Sequence, residues 1–290
     1  MDVLKTLEEL IFKLLELAAI QLPIKVEEQL NHMIKQERSE IGANQFSVIA
    51  KNLQLAKKLK RSICQDTGLI SYFIKLGNNT LRKSQIKKLI FKQTEKATKS
   101  IPLRPNAVNF FNGNTGTNVG ENIPWIYWED ASDSSIEITV QLKGGGSSNV
   151  SKLVMLNPAD GLKGIKKAII EAVFNAGSKG CPPYTLGIGL GGTEDIAMFL
   201  AKKALLISPN QRNSLKNFAD IELNLIETLN SLNIGIMGLG YGPTVLDAHI
   251  LHAARHPASL PIGISFSCWA LRYASARIID NKIVYLTHEG

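Results

Sequence analysis

Leucine and isoleucine recur with helical spacing from the start of the chain. Leu4, Leu7, Leu10, Ile11, Leu14 and Leu15 fall on one face of a 3.6-residue turn. Pro23 interrupts that pattern, so residues 1–38 read as two helices. A third helix, over about 43–61, sets Val48, Leu53, Leu55 and Leu59 among lysines and delivers the chain to Cys64. After Gly68, the run Leu69, Ile70, Ser71, Tyr72, Phe73, Ile74 has the composition of a strand, closed by Gly77, Asn78 and Asn79. Ser84 is placed to cap a basic helix that runs to about Lys99. Two strands are expected near 124–129 and 135–142. The second alternates cleanly, with Ile136, Ile138, Val140 and Leu142 on one face. Helices near 160–176, 195–206 and 214–231 and strands near 244–253, 262–266 and 282–286 complete the pattern.

This order predicts an α/β fold: a mainly helical segment over 1–62, then mixed β-sheets with helices over 63–290, read as one catalytic domain of 290 residues. A hydrophobic fraction of 44% and a charged fraction of 20% suit a soluble globular protein. Apolar runs are broken well before the ~18 residues of a membrane span. Asp2, Glu8, Glu9 and Glu16 sit where a signal peptide would be basic and then apolar. A cytoplasmic protein with no membrane partner is expected.

The net charge is +8 and unevenly spread: residues 51–100 hold 13 Lys or Arg against Asp66 and Glu95. Such a face attracts anions. No aromatic residues are interleaved in the manner of a single-strand binder, so a solvated helix face is expected and no nucleic-acid partner.

The polar stretches carry the candidate chemistry. Residues 63–68 (Ile63, Cys64, Gln65, Asp66, Thr67, Gly68) put a thiol, an amide, a carboxylate and a hydroxyl into one loop. Residues 101–124 read as a long polar loop, of the length that is usually functional. In it Pro105 biases Arg104 toward extended backbone, and a planar guanidinium held there suits a carboxylate. Lys143, Gly144, Gly145, Gly146, Ser147, Ser148 and Asn149 form a glycine turn whose N–H groups can meet an anion, without the lysine ending of a phosphate loop. Gly187, Gly189 and Gly192 match GxGxxG before a helix, which leaves a nucleotide-binding oxidoreductase as an alternative of another class. His249 and His252 would face opposite sides of a strand and make no metal pair.

Cys64, Cys181 and Cys268 are the only cysteines, too few and too scattered for a disulfide scaffold. Each adjoins the end of an element, among glycine, proline or hydroxyl residues. Three thiolates leave zinc one ligand short, with His256 as a fourth, and equally leave a four-iron cluster one ligand short. Their spacing does not choose between these.

Together ICQDTG at 63–68, LRPNAV at 103–108 with NGNTGTN at 112–118, KGGGSSN at 143–149, GCPPYTLGIGLGGTEDIA at 180–197 and RHPASLPIGISFSCW at 255–269 resemble the alpha subunit of the two-subunit iron–sulfur hydro-lyases, class I fumarase and L-tartrate dehydratase. The resemblance covers most of the chain in the family's order. It implies loops converging on a [4Fe-4S] cluster held by Cys64, Cys181 and Cys268. Asp66 would be the catalytic proton-transfer residue, and His256 a second catalytic residue lining the pocket. Gln65, Arg104 and the Gly144–Gly145 turn would bind a small dicarboxylate. It further implies a separate beta subunit and a higher oligomer of alpha–beta pairs. The activity expected first is reversible hydration of fumarate to (S)-malate, with tartrate dehydration to oxaloacetate as the alternative. One stretch departs from the family's GPxGLGG: Gly235, Ile236, Met237, Gly238, Leu239, Gly240, Tyr241.

Overall fold

The computed structural model describes residues 3–78, 81–280 and 282–289. Met1, expected to open the first helix, and Asn79, expected to close the first strand, lie outside them. The elements begin with helices α1 (Val3–Ile20), α2 (Ile24–Gln36) and α3 (Glu40–Leu59), then β1 (Leu69–Leu76), α4 (Lys83–Ser100), β2 (Val108–Asn109), β3 (Gly113–Asn114), β4 (Trp125–Asp130) and β5 (Ile136–Lys143). They continue with α5 (Gly145–Asn149), β6 (Lys152–Leu156), α6 (Gly161–Ala176), β7 (Tyr184–Gly192), α7 (Glu194–Ala204), α8 (Lys216–Asn230), β8 (Val245–Arg255), β9 (Leu260–Ser267), β10 (Arg272–Ile279) and β11 (Lys282–Tyr285). The mixed α/β class is as expected. The chain divides into two compact units: Met1–Ile24, Lys51–Gly144 and Arg272–Gly290 form unit 1, and Lys25–Ala50 with Gly145–Leu271 form unit 2.

Unit 1 is a five-stranded sheet in the order β11-β10-β5-β1-β4, in which only the β1–β4 pair is parallel. The alternation read from β5 holds: Ile136, Ile138, Val140 and Leu142 are buried with Ile70, Tyr72 and Ile74 of β1 and Ala274, Ala276 and Ile278 of β10. The apolar stripe of α1 (Leu7, Leu10, Ile11, Leu14) and Ile86, Ile90 and Ala97 of α4 complete this core. Each such aliphatic side chain contributes about 1.5–3 kcal/mol through burial. Ser84 is not the cap of α4. The helix starts one residue earlier, and the Arg82 N–H donates to Gln85 Oε1 at 2.9 Å. Several lysines of the basic stretch are engaged within unit 1, as Lys92 with Glu8 at 2.9 Å, Lys99 with Glu95 at 2.7 Å and Lys83 over the Trp128 ring.

Unit 2 is a four-stranded sheet in the order β6-β9-β7-β8, with β7 parallel to β8 and antiparallel to β9. Leu186, Ile188, Ile250, Ile262, Ile264 and Phe266 bury one face with Ile165, Ile169, Val173, Leu225 and Leu229 of α6 and α8. The other face meets α7, and here the glycine run differs from expectation. Residues 184–192 are one continuous strand, not a strand followed by a nucleotide turn. A Cβ on Gly187 would stand 1.9 Å from the Ala201 carbonyl oxygen, and on Gly189 2.0 Å from that of Ala197. The glycines let a helix lie directly on the sheet, and the first turn of that helix carries Glu194 and Asp195, which repel an anion. Gly189→Val therefore loses about 3 kcal/mol through overpacking against backbone, measured as a fall in the melting temperature.

His249 and His252 do face opposite sides of β8: His249 is fully buried and His252 exposed. Burial pushes the His249 imidazole down to about 4, so it is neutral beside Asp247, whose carboxylate Arg212 Nη2 grips at 2.5 and 2.6 Å. Among the described residues no helix is long and apolar enough to cross a membrane.

Candidate active site

In unit 1 the loop after α3 is fixed before any chemistry is asked of it. The Ile63 N–H donates to the Ala19 carbonyl at 3.0 Å, and Asn52 Nδ2 donates to the Ile63 carbonyl at 2.8 Å. Cys64 follows, half-buried, then Gln65, exposed, and Asp66, half-buried. Asp66 Oδ1 accepts the Gly68 N–H at 3.0 Å, an Asx turn that fixes the carboxylate's direction. Gly68 has φ +83°, and a Cβ there would stand 2.6 Å from the Lys143 carbonyl carbon. Only glycine allows the loop to rest on the end of β5, and that contact carries Asp66 to Gly144. A Cβ on Gly144 would be 2.8 Å from Asp66 Oδ2.

The long loop is tied to the same place. Thr67, 1% exposed, accepts from the Arg104 N–H at 3.0 Å and from Asn106 Nδ2 at 3.2 Å. Asn106 Nδ2 also donates to the Gly68 carbonyl at 3.0 Å. Asn118, itself buried, donates to the Arg104 carbonyl at 2.9 Å and accepts the Asn106 N–H at 3.1 Å. The guanidinium of Arg104 is left exposed on a backbone that cannot shift. Unit 1 therefore gathers Cys64, Gln65, Asp66, Arg104 and Gly144. The clamp residues Thr67, Asn106 and Asn118 were given no role from the sequence, although all three lie inside the quoted motifs as side chains with bonding capacity and no apolar role.

The glycine turn of 143–149 is only half as expected. Gly144 ends unit 1, and Gly145 opens the single-turn helix α5, where its exposed backbone begins the helix.

In unit 2 two thiols converge. Cys181 is exposed, holds φ +58° and is followed by a cis Pro182–Pro183 bond. Its carbonyl accepts the Trp269 N–H at 3.1 Å, which joins the Cys181 loop to the residue after Cys268. The Cys268 thiol, half-buried, lies 3.6 Å from the Ala270 carbonyl. Tyr184 supports the loop from below: its hydroxyl donates to the Gly177 carbonyl at 2.7 Å and accepts the Gly180 N–H at 3.0 Å. Burial pushes the Tyr184 phenol up to about 12, with Cys181 and Cys268 adding to the rise. The divergent stretch near 237 joins here as well, through the Met237 N–H on the Pro182 carbonyl at 2.9 Å.

His256 does not join this pair. Cys181 and Cys268 lie beside the start of β7 and the end of β9, where Thr185 pairs with Ser267. His256 follows the far end of β8, beside the Gly192–Arg255 pair, and β8 spans about 30 Å. The ring is exposed there, and its Nδ1 accepts the Ala258 N–H at 3.1 Å within a tight turn.

None of the cysteines is in a disulfide. Among the described residues no group of three or more His, Cys, Asp or Glu side chains is close enough to hold a metal ion. The paired loops of unit 2 nonetheless present two soft donors at one sheet end, and Cys64 presents a third in unit 1. That donor chemistry fits an iron–sulfur group.

Unit 1 thus carries a turn-fixed carboxylate and an exposed guanidinium, and unit 2 two thiol-bearing loops joined at one end of its sheet. The family described as "Fumarate hydratase (Fumerase)" matches residues 8–277. A Methanocaldococcus jannaschii protein named "Putative L(+)-tartrate dehydratase subunit alpha" is 44% identical over 284 residues, covering 96% of this chain and 99% of its own. The "L(+)-tartrate dehydratase subunit alpha" of Escherichia coli K12 is 33% identical over 268 residues, covering 92% of this chain and 88% of its own. The chain belongs to the fumarate hydratase family of hydro-lyases.

Proposed function

We propose that this chain is the alpha subunit of an iron–sulfur hydro-lyase that removes water from L(+)-tartrate to give oxaloacetate, working with a separate beta subunit. What carries the reading is that relatives matched over nearly their whole length bear the tartrate dehydratase alpha name, which favours tartrate over the fumarate expected first. Hydration of fumarate to (S)-malate is the second reading, supported by the family's description.

In this reading Cys64, Cys181 and Cys268 hold a [4Fe-4S] cluster. When bound, the cluster supplies a Lewis acid for the departing hydroxyl. The chain's own residues supply the rest. Arg104 offers two parallel N–H donors to one carboxylate, and the Gly144 N–H and the Gln65 amide take further substrate oxygens. Asp66, its Oδ1 held by Gly68, is the proton-transfer residue at the leaving hydroxyl, and the base at carbon lies with the beta subunit. Fixing both ends of a small diacid orients it, and each factor of ten so gained is about 1.4 kcal/mol of barrier. His256, at the other end of its sheet, has no part assigned in this arrangement.

The alpha and beta chains co-expressed and purified without oxygen test the assignment. The expected kcat/KM on L(+)-tartrate exceeds that on (S)-malate or fumarate by about tenfold or more, roughly the 1.4 kcal/mol that one well-placed extra hydroxyl contact supplies. The reverse ratio makes the enzyme a fumarase.

A further inference from the structure

Arg272 opens β10 at the end of the unit 1 sheet, across from Leu142. Its backbone register places it on the apolar face with Ala274 and Ala276, and it is only 2% exposed. Its Nε and Nη1 have no hydrogen-bond partner among the described residues. A guanidinium shut away from water with two donor atoms unused is strongly disfavoured unless an anion stands close by. The position is not explained by packing, since a leucine or methionine would fill the same layer without that penalty.

The anion on that side is the Asp66 carboxylate, set across Gly144 from Arg272 and not in ion-pair contact with it. The point where a Cβ on Gly144 would sit is 3.6 Å from Arg272 Nη2, 2.8 Å from Asp66 Oδ2 and 3.3 Å from Asp66 Cγ. Guanidinium and carboxylate thus face the same bare Cα of Gly144 without touching, and any side chain there would collide with the carboxylate. Asp66 Oδ1 is engaged by the Gly68 N–H, so Oδ2 is the oxygen turned toward this corner.

We propose that Arg272 is the positioning residue of Asp66: its buried positive charge, set across Gly144, favours the orientation and ionised form of the carboxylate that the Asx turn has aimed. This rests on the hydro-lyase reading and adds to it a residue that lies behind the reacting groups. Exposure ranks the three in depth. Asp66 is half-buried, Gly144 buried and Arg272 almost wholly enclosed, whereas Gln65 and Arg104 are open. A substrate entering from the open side meets Asp66 before Arg272. The arginine therefore acts through Asp66 and does not touch the substrate.

The test uses the alpha–beta holoenzyme with Arg272→Met, Arg272→Lys, Asp66→Asn and the Arg272→Met/Asp66→Asn double variant, each assayed for iron content, kcat and KM. Arg272→Met is expected to keep wild-type iron and a KM within about threefold, while kcat falls about 30- to 100-fold. Arg272→Lys restores the charge without the planar fork and recovers kcat to within about tenfold of wild type. In the Asp66→Asn background Arg272→Met costs less than about a further twofold, the signature of two residues acting as one unit. A rise in KM with kcat unchanged would show that Arg272 meets the substrate, and an equal loss in both backgrounds would show that it acts elsewhere. Either overturns the proposal. If Arg272→Met does not fold, Arg272→Lys decides: kcat lowered at constant KM sustains the role, and wild-type kcat ends it. Wild-type turnover separates the two levels. A wild-type holoenzyme that dehydrates neither tartrate nor malate removes the hydro-lyase reading, whereas an active one with indifferent Arg272 variants removes only the role of Arg272.

Discussion

Asp66→Asn lowers kcat by about 10³-fold and leaves iron content unchanged. The size follows from what a positioned proton-transfer group contributes, about 10²- to 10⁴-fold. Retention of the local structure follows from the geometry. The amide is isosteric with the carboxylate, and its oxygen still accepts the Gly68 N–H that fixes the turn. Thr67 continues to hold the Arg104 and Asn106 backbone and side chain, since neither bond involves residue 66. What is lost is the charge and the proton acceptor at the second oxygen, the one lying against Gly144. Metal analysis and the visible spectrum of the anaerobic holoenzyme check the first half, and steady-state kinetics on L(+)-tartrate the second. Turnover within about threefold of wild type would reduce the loop to a mount for Cys64, because a proton-transfer residue cannot be dispensed with so lightly.

The sequence made the apolar framework legible because its periods are strong. The 3.6-residue repeat of α1 and the two-residue repeat of β5 each place buried residues where expected. Besides the two-residue strands β2 and β3 inside the long loop, β6 and β10 were not read, for physical reasons. On β10, Tyr273 and Ser275 are buried alongside Ala274 and Ala276, so the strand lacks polar–apolar alternation, and its β-branched residues, Ile278 and Ile279, come only at its end. On β6, Leu153 and Met155 are exposed while Val154 and Leu156 are half-buried, which inverts the usual pattern. The glycines of β7 were misread as a turn because glycine ordinarily marks one. Their reason for being there is the backbone of α7, at Ala197 for Gly189 and at Ala201 for Gly187, a packing contact that periodicity along the strand does not show.

The site was legible as motifs and not as geometry. Cys64, Asp66, Arg104 and Gly144 stand out by chemical type, and unit 1 collects them. His256 stands out by type as well, yet the length of β8 takes it away from Cys181 and Cys268. Arg272 drew no notice as one more charged residue after a cysteine. Its burial and its missing acceptors exist only in three dimensions. Where several polar residues share a loop, the sequence reveals the chemistry. Where a buried charge faces another across a distant glycine, only the fold does.

Cys181→Ser, and Cys268→Ser with it, abolishes iron binding while the alpha chain stays folded. A serine hydroxyl is a hard, weakly acidic donor that does not replace a thiolate on iron. The fold has no comparable stake in the sulfur. The Cys181 loop is held by backbone and by Tyr184: the Trp269 N–H on the Cys181 carbonyl, the Met237 N–H on the Pro182 carbonyl, and the two bonds of the Tyr184 hydroxyl all survive the change. Wild-type holoenzyme prepared without oxygen is expected to be brown and to hold about four irons per alpha chain. Either variant is expected to be colourless, with circular dichroism and melting temperature close to those of iron-free wild type and no measurable turnover. Cys64→Ser gives the same loss from unit 1, where Ile63 is anchored by Ala19 and Asn52 irrespective of the thiol. Full iron and activity in any one of the three variants removes that cysteine from the ligand set. A wild-type preparation that binds zinc and stays colourless removes the cluster altogether, and with it the Lewis acid on which departure of the hydroxyl depends.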